Sequence, residues 1–204
     1  MDNIEQRASP NFGPRRGGVR APDLIIVHYT AMRSAEEAIE RLCDPAHEVS
    51  AHYVIARDGT VTQLVPEAMR AWHAGAGAWQ GAQDVNSRSI GIELDNDGQT
   101  PFSAPLMDAL EQLLAAVMSR HAIAPEAVIG HADIAPVRKS DPGARFDWRR
   151  LALGGFAVWP APAGAAPDDD ALSALGYDVA QFGRAACLSA YQTRFCIDPR
   201  AALT

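Results

Sequence analysis

Five side chains of the kinds used in hydrolytic metal sites stand inside or directly after short apolar segments of this 204-residue chain. Two imidazoles and a carboxylate can hold a zinc ion and leave a fourth position for water, while a second carboxylate and an ammonium group can assist hydrolysis. The candidates are His28, Glu93, His131, Lys139 and Asp141. Spacing alone leaves an alternative open, in which the histidines are hydrogen-bonded core residues and the aspartate caps a turn.

Each candidate is carried by a segment whose pattern predicts a strand or a loop. Leu24–Val27 is short and aliphatic, which favours a buried strand that ends at His28. Ser89–Leu94 alternates as a second strand and places Glu93 on the face opposite its apolar neighbours. Val128–His131 predicts a third short strand, which runs into the loop that bears the ammonium group and the second carboxylate.

Between these strands the sequence predicts helices and one hairpin. Ser34–Glu37 has the order of a capping box that opens a helix, and residues 106–117 form an amphipathic helix with Pro105 near its first turn. The runs 51–56 and 61–65 alternate about an Asp-Gly dipeptide, which is a strong hairpin signal. Helices that flank a mixed central β-sheet in this order predict an α/β (α+β) domain.

The predicted domain boundaries follow composition. Residues 1–22 are rich in Pro, Gly and Arg and predict an irregular lead-in, whereas residues 23–158 hold the elements described above and form the catalytic domain. A Pro/Ala-rich linker at 159–170 precedes a small C-terminal helical segment at 171–204, in which residues 171–178 and 185–195 predict two short helices. A segment of this size cannot bury much core alone, so we expect it to lean on the main domain.

Two motifs resemble those of a known family. The apolar strand ending in His28–Thr30, and Gly130–His131 followed by Arg138–Gly143, are similar to motifs of the type 2 zinc-dependent N-acetylmuramoyl-L-alanine amidases. These enzymes are related to the peptidoglycan-recognition proteins and to the bacterial anhydro-muropeptide amidases. The resemblance covers residues 9–155 and implies a peptidoglycan-recognition-protein-like fold. The C-terminal segment resembles a shortened peptidoglycan-binding module.

The resemblance implies a role for each candidate. His28, His131 and Asp141 would hold one Zn²⁺ per chain, Glu93 would handle the proton of the attacking water, and Lys139 would stabilise the oxyanion. Without the resemblance, a carboxylate in a strand is more often solvent-exposed than catalytic. A lone lysine is usually a surface cation.

Four further residues are implied as substrate contacts. Trp72 and His73 match a segment that lines the family's substrate groove, Asn86 matches a position that faces the substrate, and Ala132 directly follows a predicted ligand. A core tryptophan and a turn-forming asparagine are the alternatives. His52 is expected to be structural or to lie behind the ligands.

Composition restricts the partners and the compartment. The net charge of -7 argues against nucleic acid, and no stretch is apolar for long enough to cross a bilayer. The resemblance implies peptidoglycan or an anhydro-muropeptide as the partner, and we expect a monomer. Residues 1–7 lack the order of a signal peptide, which predicts a cytoplasmic protein, or a periplasmic or cell-envelope protein if a leader has been removed. Cys187 and Cys196 are expected to be free thiols.

The resemblance implies zinc-dependent hydrolysis of the amide between N-acetylmuramic acid, or its 1,6-anhydro form, and L-alanine, for cell-wall recycling or remodelling. The alternative is a receptor that binds muropeptides without cutting them. Such receptors typically lack a zinc ligand, whereas this sequence has all three with Glu93 and Lys139. A zinc peptidase acting inside the stem peptide would share the metal chemistry, but the sequence lacks HExxH.

Overall fold

The computed structural model describes residues 4–160 and 166–195. Within these ranges no helix is long and apolar enough to span a bilayer. The elements in chain order are β1 Glu5–Gln6, β2 Phe12–Gly13, β3 Leu24–Tyr29, α1 Ala35–Cys43, β4 Tyr53–Ile55, β5 Val61–Gln63, β6 Arg70–Ala71, α2 Val85–Arg88, β7 Ser89–Leu94, α3 Ala104–His121, β8 Val128–Gly130, α4 His131–Ile134, α5 Trp148–Leu153, α6 Asp169–Leu175, α7 Val179–Phe182 and α8 Arg184–Arg194.

The predicted mixed central sheet is confirmed. Its strands lie in the order β1-β5-β4-β7-β3-β8, and β4 and β5 form the antiparallel hairpin while the other neighbours pair in parallel. A second, small sheet pairs β2 with β6. The lead-in is therefore less irregular than predicted, because β1 and β2 pair with strands that lie far away in sequence. Composition carries no signal for such pairing.

Helix α3 closes one face of the sheet. Strand residues from β3, β4 and β7 pack there against the apolar stripe of the helix, and each fully buried aliphatic side chain contributes about 1.5–3 kcal/mol relative to exposure. The main members of this cluster are Ile25, Val27, Ile55, Ile90, Ile92, Leu94, Leu106, Leu110, Leu113, Leu114 and Val117. Because side chains alternate along a strand, the intervening residues of β3 and β7 point to the other face.

The other face is covered in two places, with a cleft between them. On one side, α1 packs Ile39 and Leu42 onto Val54 of β4. On the other side, α6 to α8 pack onto the outer residues of β3 and β8, in a buried cluster that includes Leu24, Ile26, Ile129, Leu172, Tyr177, Cys187 and Tyr191. The cleft between the two is lined by His28 and Glu93, among others.

The predictions for helix α1 and strand β3 hold, with shifts of one or two residues. The Ser34 side chain accepts a hydrogen bond from the Glu37 backbone N–H at 3.2 Å, as a capping residue should. Glu37 itself accepts from the Arg33 N–H, so the box is closed one residue earlier than predicted. Strand β3 continues past Val27 through His28 and Tyr29, since both pair with β7.

The C-terminal segment forms three helices where two were predicted. Helices α6 and α8 correspond to the predicted pair, and the four-residue α7 lies between them. Cys187 is a buried free thiol. Cys196 and residues 161–165 of the predicted linker lie outside the described residues, so their predicted states stay predictions.

Candidate metal centre and active-site cleft

The sheet register brings three of the candidate residues side by side. His28 on β3 pairs with Glu93 on β7, so both side chains point to the same face. On the other side of β3, Val27 pairs with Gly130, the last residue of β8, and His131 follows as the first residue of α4. Because these strands are parallel, their carboxyl ends form one edge, where parallel sheets usually place their ligands.

Asp141 returns to this edge from the loop after α4. Its backbone carbonyl accepts a hydrogen bond from the Ala132 N–H at 2.9 Å, which fixes the loop to the start of the helix. Its Oδ2 lies 2.9 Å from Nδ1 of His28 and 3.0 Å from Nδ1 of His131, and the two Nδ1 atoms are 2.9 Å apart. All three side chains are buried.

The chemistry of this triangle fits a metal ion. Among the described residues, His28, His131 and Asp141 are the group of metal-binding type whose ligand atoms converge. Burial, followed by the neighbouring His131, lowers the pKa of His28 to about 4, so its ring is neutral at physiological pH and can offer a lone pair. Two neutral imidazoles and one carboxylate oxygen are a ligand set that would hold a zinc ion and leave one of its positions for water.

Glu93 stands beside the triangle without belonging to it. Its Oε2 is buried and has no hydrogen-bond partner among the described residues. Burial raises the pKa of Glu93 well above 4.5, the charge of Asp141 raises it further, and Lys139 opposes the shift. A carboxyl group held ready for a proton at the floor of a cleft is suited to general acid–base chemistry.

The cleft has a volume of about 440 Å³ and extends from the triangle to α1. Lys139 lines it from the loop side, held there by a hydrogen bond from its backbone N–H to the Ala135 carbonyl. Trp72 and His73 line the same cleft. The structure thus gathers Glu93 and Lys139 with the three candidate ligands around one cavity.

The remaining predicted substrate residues lie deeper. Asn86 is buried, and its Oδ1 accepts from the backbone N–H groups of His73 and Ala74 at 3.0 and 2.8 Å. Ala132 is buried beside Asp141 and lines a separate small cavity near α8. Substrate contact by Asn86 and Ala132 stays a prediction, with a positioning role already visible for the asparagine.

Sequence reasoning missed three contributors to this site. Arg138, to which the sequence analysis assigned no role, donates from its guanidinium to the carbonyls of Ala74 and Ala76, each at 2.8 Å. The Ala74 carbonyl and the Ser89 hydroxyl both contact histidine rings of the site. Backbone acceptors leave no trace in residue types, and a serine at the start of a strand carries no signal.

Comparisons with known proteins identify the family to which this chain is similar. The family model described as N-acetylmuramoyl-L-alanine amidase matches residues 18–144. The N-acetylmuramoyl-L-alanine amidase AmiD of Escherichia coli is 40% identical over 153 residues, which are 67% of this chain and 54% of AmiD. The 1,6-anhydro-N-acetylmuramyl-L-alanine amidase AmpD of Haemophilus influenzae is 32% identical over 168 residues, 74% of this chain and 91% of AmpD. The matched segment thus spans about half of AmiD and nearly all of AmpD.

Two solved structures with bound muropeptide are also similar. The complex of Escherichia coli AmiD with anhydro-N-acetylmuramic acid-L-Ala-D-gamma-Glu-L-Lys has a TM-score of 0.77 and 34% identity, and covers 93% of this chain and 84% of AmiD. The complex of Pseudomonas aeruginosa AmpDh3 with anhydromuramic pentapeptide has a TM-score of 0.72 and 30% identity, and covers 96% and 90% of the two chains.

Proposed function

This chain belongs to the N-acetylmuramoyl-L-alanine amidase family, and on that premise we propose that it uses one zinc ion to hydrolyse the amide between muramic acid and L-alanine. The substrate we propose is a muropeptide, in the N-acetylmuramic acid or the 1,6-anhydro form. Both similar structures hold an anhydro-muropeptide, which supports the second form. The observation that carries the proposal is the convergence of a buried His/His/Asp triangle with an unpartnered carboxylate at one cleft.

His28, His131 and Asp141 are the residues that would hold the ion. When bound, zinc supplies a positive charge that polarises the scissile carbonyl. The remaining chemistry falls to side chains of the chain itself.

Glu93 supplies the proton transfers. Its carboxylate accepts a proton from the attacking water and passes it to the departing amine of L-alanine, which leaves as the free amino terminus of the stem peptide. The buried position of Glu93 favours the protonated state between these two transfers, because burial disfavours the charged form.

Lys139 supplies the second positive charge. Its ammonium group, on the loop side of the cleft, stabilises the oxyanion that develops on the carbonyl oxygen in the tetrahedral intermediate. Trp72 offers a ring face on which a sugar can pack.

The test combines metal content with cleavage. We expect the purified protein to bind one zinc per chain and to release stem peptide from anhydro-muropeptide, and we expect His131→Ala to lose both properties. Digestion of intact sacculi in parallel distinguishes a wall-degrading enzyme from one restricted to soluble fragments. Muropeptide binding without release of peptide by the zinc-loaded protein would overturn the proposal in favour of a receptor.

A further inference from the structure

The outer nitrogen of each candidate histidine ligand has a partner, and both partners come from the same short stretch of chain. Nε2 of His28 lies 3.0 Å from Nδ1 of His73, and Nε2 of His131 lies 3.0 Å from the carbonyl oxygen of Ala74. A metal ligand's second ring nitrogen decides its tautomer, and therefore whether its first nitrogen has a lone pair to offer.

The tautomer of His131 follows from its partner. A carbonyl oxygen only accepts hydrogen bonds, so Nε2 of His131 must be the nitrogen that carries the proton. Its Nδ1 then has a free lone pair, which points at Asp141 and His28.

The tautomer of His28 follows from a longer chain of hydrogen bonds. The Ser89 hydroxyl donates its single proton to the Val85 carbonyl at 2.7 Å, so its oxygen must accept from Nε2–H of His73 at 3.1 Å. In a neutral imidazole the other nitrogen is then an acceptor, so Nδ1 of His73 accepts from Nε2–H of His28. Nδ1 of His28 is left with its lone pair facing the triangle.

The two-residue segment His73–Ala74 is itself held from both sides. Asn86 Oδ1 accepts from both of its backbone N–H groups, and the Arg138 guanidinium donates to the Ala74 carbonyl. The His73 ring packs directly against Gly91 of strand β7, where the absence of a side chain leaves room for it.

We propose that the segment His73–Ala74 supports both histidine ligands. The Ala74 carbonyl fixes His131, and the His73 ring links His28 to the Ser89 hydroxyl through two hydrogen bonds, which form the His73 relay. His73, Ser89 and Asn86 are thus positioning residues, which hold two Nδ1 lone pairs towards the metal. This inference rests on the proposed zinc site, and it assigns to His73 a task that is separate from any contact with substrate.

The first test reads the tautomers in the unmodified protein. Long-range ¹H–¹⁵N NMR spectra of histidine-labelled protein, metal-free and zinc-loaded, should show the Nε2–H tautomer for His28, His73 and His131. A proton on Nδ1 of His73, or on Nδ1 of His28 in the zinc-loaded protein, would overturn the relay.

The second test measures zinc affinity by competition with a chromophoric chelator, without substrate. We expect His73→Leu to weaken zinc binding by roughly 10- to 100-fold, the usual effect of removing a partner behind a ligand. His73→Asn keeps an acceptor near the position of Nδ1 and should recover most of the affinity. Ser89→Ala should weaken binding less than His73→Leu does.

The matched control is His47→Leu, which removes an exposed histidine from the turn after α1 and should leave zinc affinity unchanged. A folded His73→Leu protein with wild-type zinc affinity and a raised KM for muropeptide would overturn the inference, because His73 would then serve the substrate alone. If the wild-type protein bound no zinc, the proposed function would fail, and the tautomers of the metal-free protein would still decide the relay.

Discussion

At the scale of the residue, Glu93 has the environment that most directly suggests chemistry. Its side chain lies in register with His28, one Oε atom is buried without a partner among the described residues, and burial raises the pKa of Glu93 well above 4.5. Burial of an unpaired carboxyl group costs stability, so its presence at the floor of a cleft argues for a function.

Replacement of this carboxylate should separate chemistry from metal binding. We expect Glu93→Gln to keep its fold and its zinc, because its oxygens lie outside the His/His/Asp triangle. Turnover should fall by roughly 100- to 10,000-fold, since a general acid–base group contributes on that scale. Metal analysis and steady-state kinetics check both parts, and a variant that lost its zinc would show that Glu93 is a ligand.

The buried side chain of His52 should make the stability of the protein depend on pH. Burial lowers the pKa of His52 to about 3, and its hydrogen bond to the Met69 carbonyl only partly opposes this. Between pH 6.5 and about 3 the unfolded chain therefore binds a proton at this histidine that the folded chain does not, so stability falls as the pH falls. Above pH 6.5 this loss is absent.

Urea unfolding of the metal-free protein at several pH values between about 7 and 5 checks this prediction. The free energy of unfolding should decrease more steeply for the wild type than for His52→Gln. The exposed His47→Gln serves as the control and should keep the wild-type slope. Equal slopes for the wild type and His52→Gln would rule out a contribution from His52.

At the scale of the element, strand β7 carries both the proposed acid–base group and part of the proposed support of the histidine ligands. Ser89, Gly91 and Glu93 lie on the face of β7 opposite helix α3. The Ser89 hydroxyl accepts a hydrogen bond from His73, Gly91 leaves room for the His73 ring, and Glu93 lines the cleft. The alternation of apolar residues predicted the strand and the face of Glu93. It gave no reason for a serine or a glycine, because their partner lies in a loop that no periodicity describes.

A methyl group on β7 should therefore disturb the metal site. The Cβ of Gly91→Ala would overlap the His73 ring, so either the ring or the strand must move. We expect a loss of about 1–3 kcal/mol in the free energy of unfolding, as for other overpacked cores, together with weaker zinc binding. Gly13→Ala is the control, since a Cβ there meets open space. Unchanged zinc affinity in Gly91→Ala would mean that the ring can shift freely.

At the scale of the whole molecule, the C-terminal segment is attached to helix α4, whose first residue is the candidate ligand His131. The Asp133 carboxylate of α4 accepts hydrogen bonds from the Gly130 backbone N–H, from the Tyr177 hydroxyl and from the Arg194 guanidinium of α8. All four residues are buried. Arg194 also donates to the Val128 carbonyl and lies over the Trp148 ring. The segment predicted as a shortened wall-binding module thus braces the strand that leads into His131.

Loss of the ion pair between Arg194 and Asp133 should lower the stability of the protein strongly. We expect Arg194→Met to lower the free energy of unfolding by about 3–5 kcal/mol, because it leaves the Asp133 carboxylate buried without its ionic partner. Arg184→Met on the same helix breaks an exposed ion pair with Asp169 and should cost at most about 1 kcal/mol. Urea unfolding of both variants measures the difference, and equal losses would contradict the bracing role.

How far the sequence predicts this molecule depends on the range of each contact. Local patterns predicted the hairpin, the α1 cap and α3, because the residues that signal each of them lie close together in the sequence. The His/His/Asp triangle was predicted because its motifs resemble those of a known family. The Arg194–Asp133 pair joins residues 61 positions apart, and the His73 relay joins strands β3 and β7 through a loop residue. Such contacts arise only when distant segments pack together, so no local pattern encodes them.

The central claim is that this cleft cleaves the bond between muramic acid and L-alanine. The most direct measurement is hydrolysis of anhydro-muropeptide by the zinc-loaded protein in ¹⁸O-labelled water, with the products identified by mass. We expect the heavy oxygen in the lactyl carboxylate of the anhydro-sugar and an unlabelled peptide that begins with L-alanine. Label in a peptide carboxylate would indicate a peptidase, and intact muropeptide that stays bound without label would indicate a receptor; either result would contradict the account.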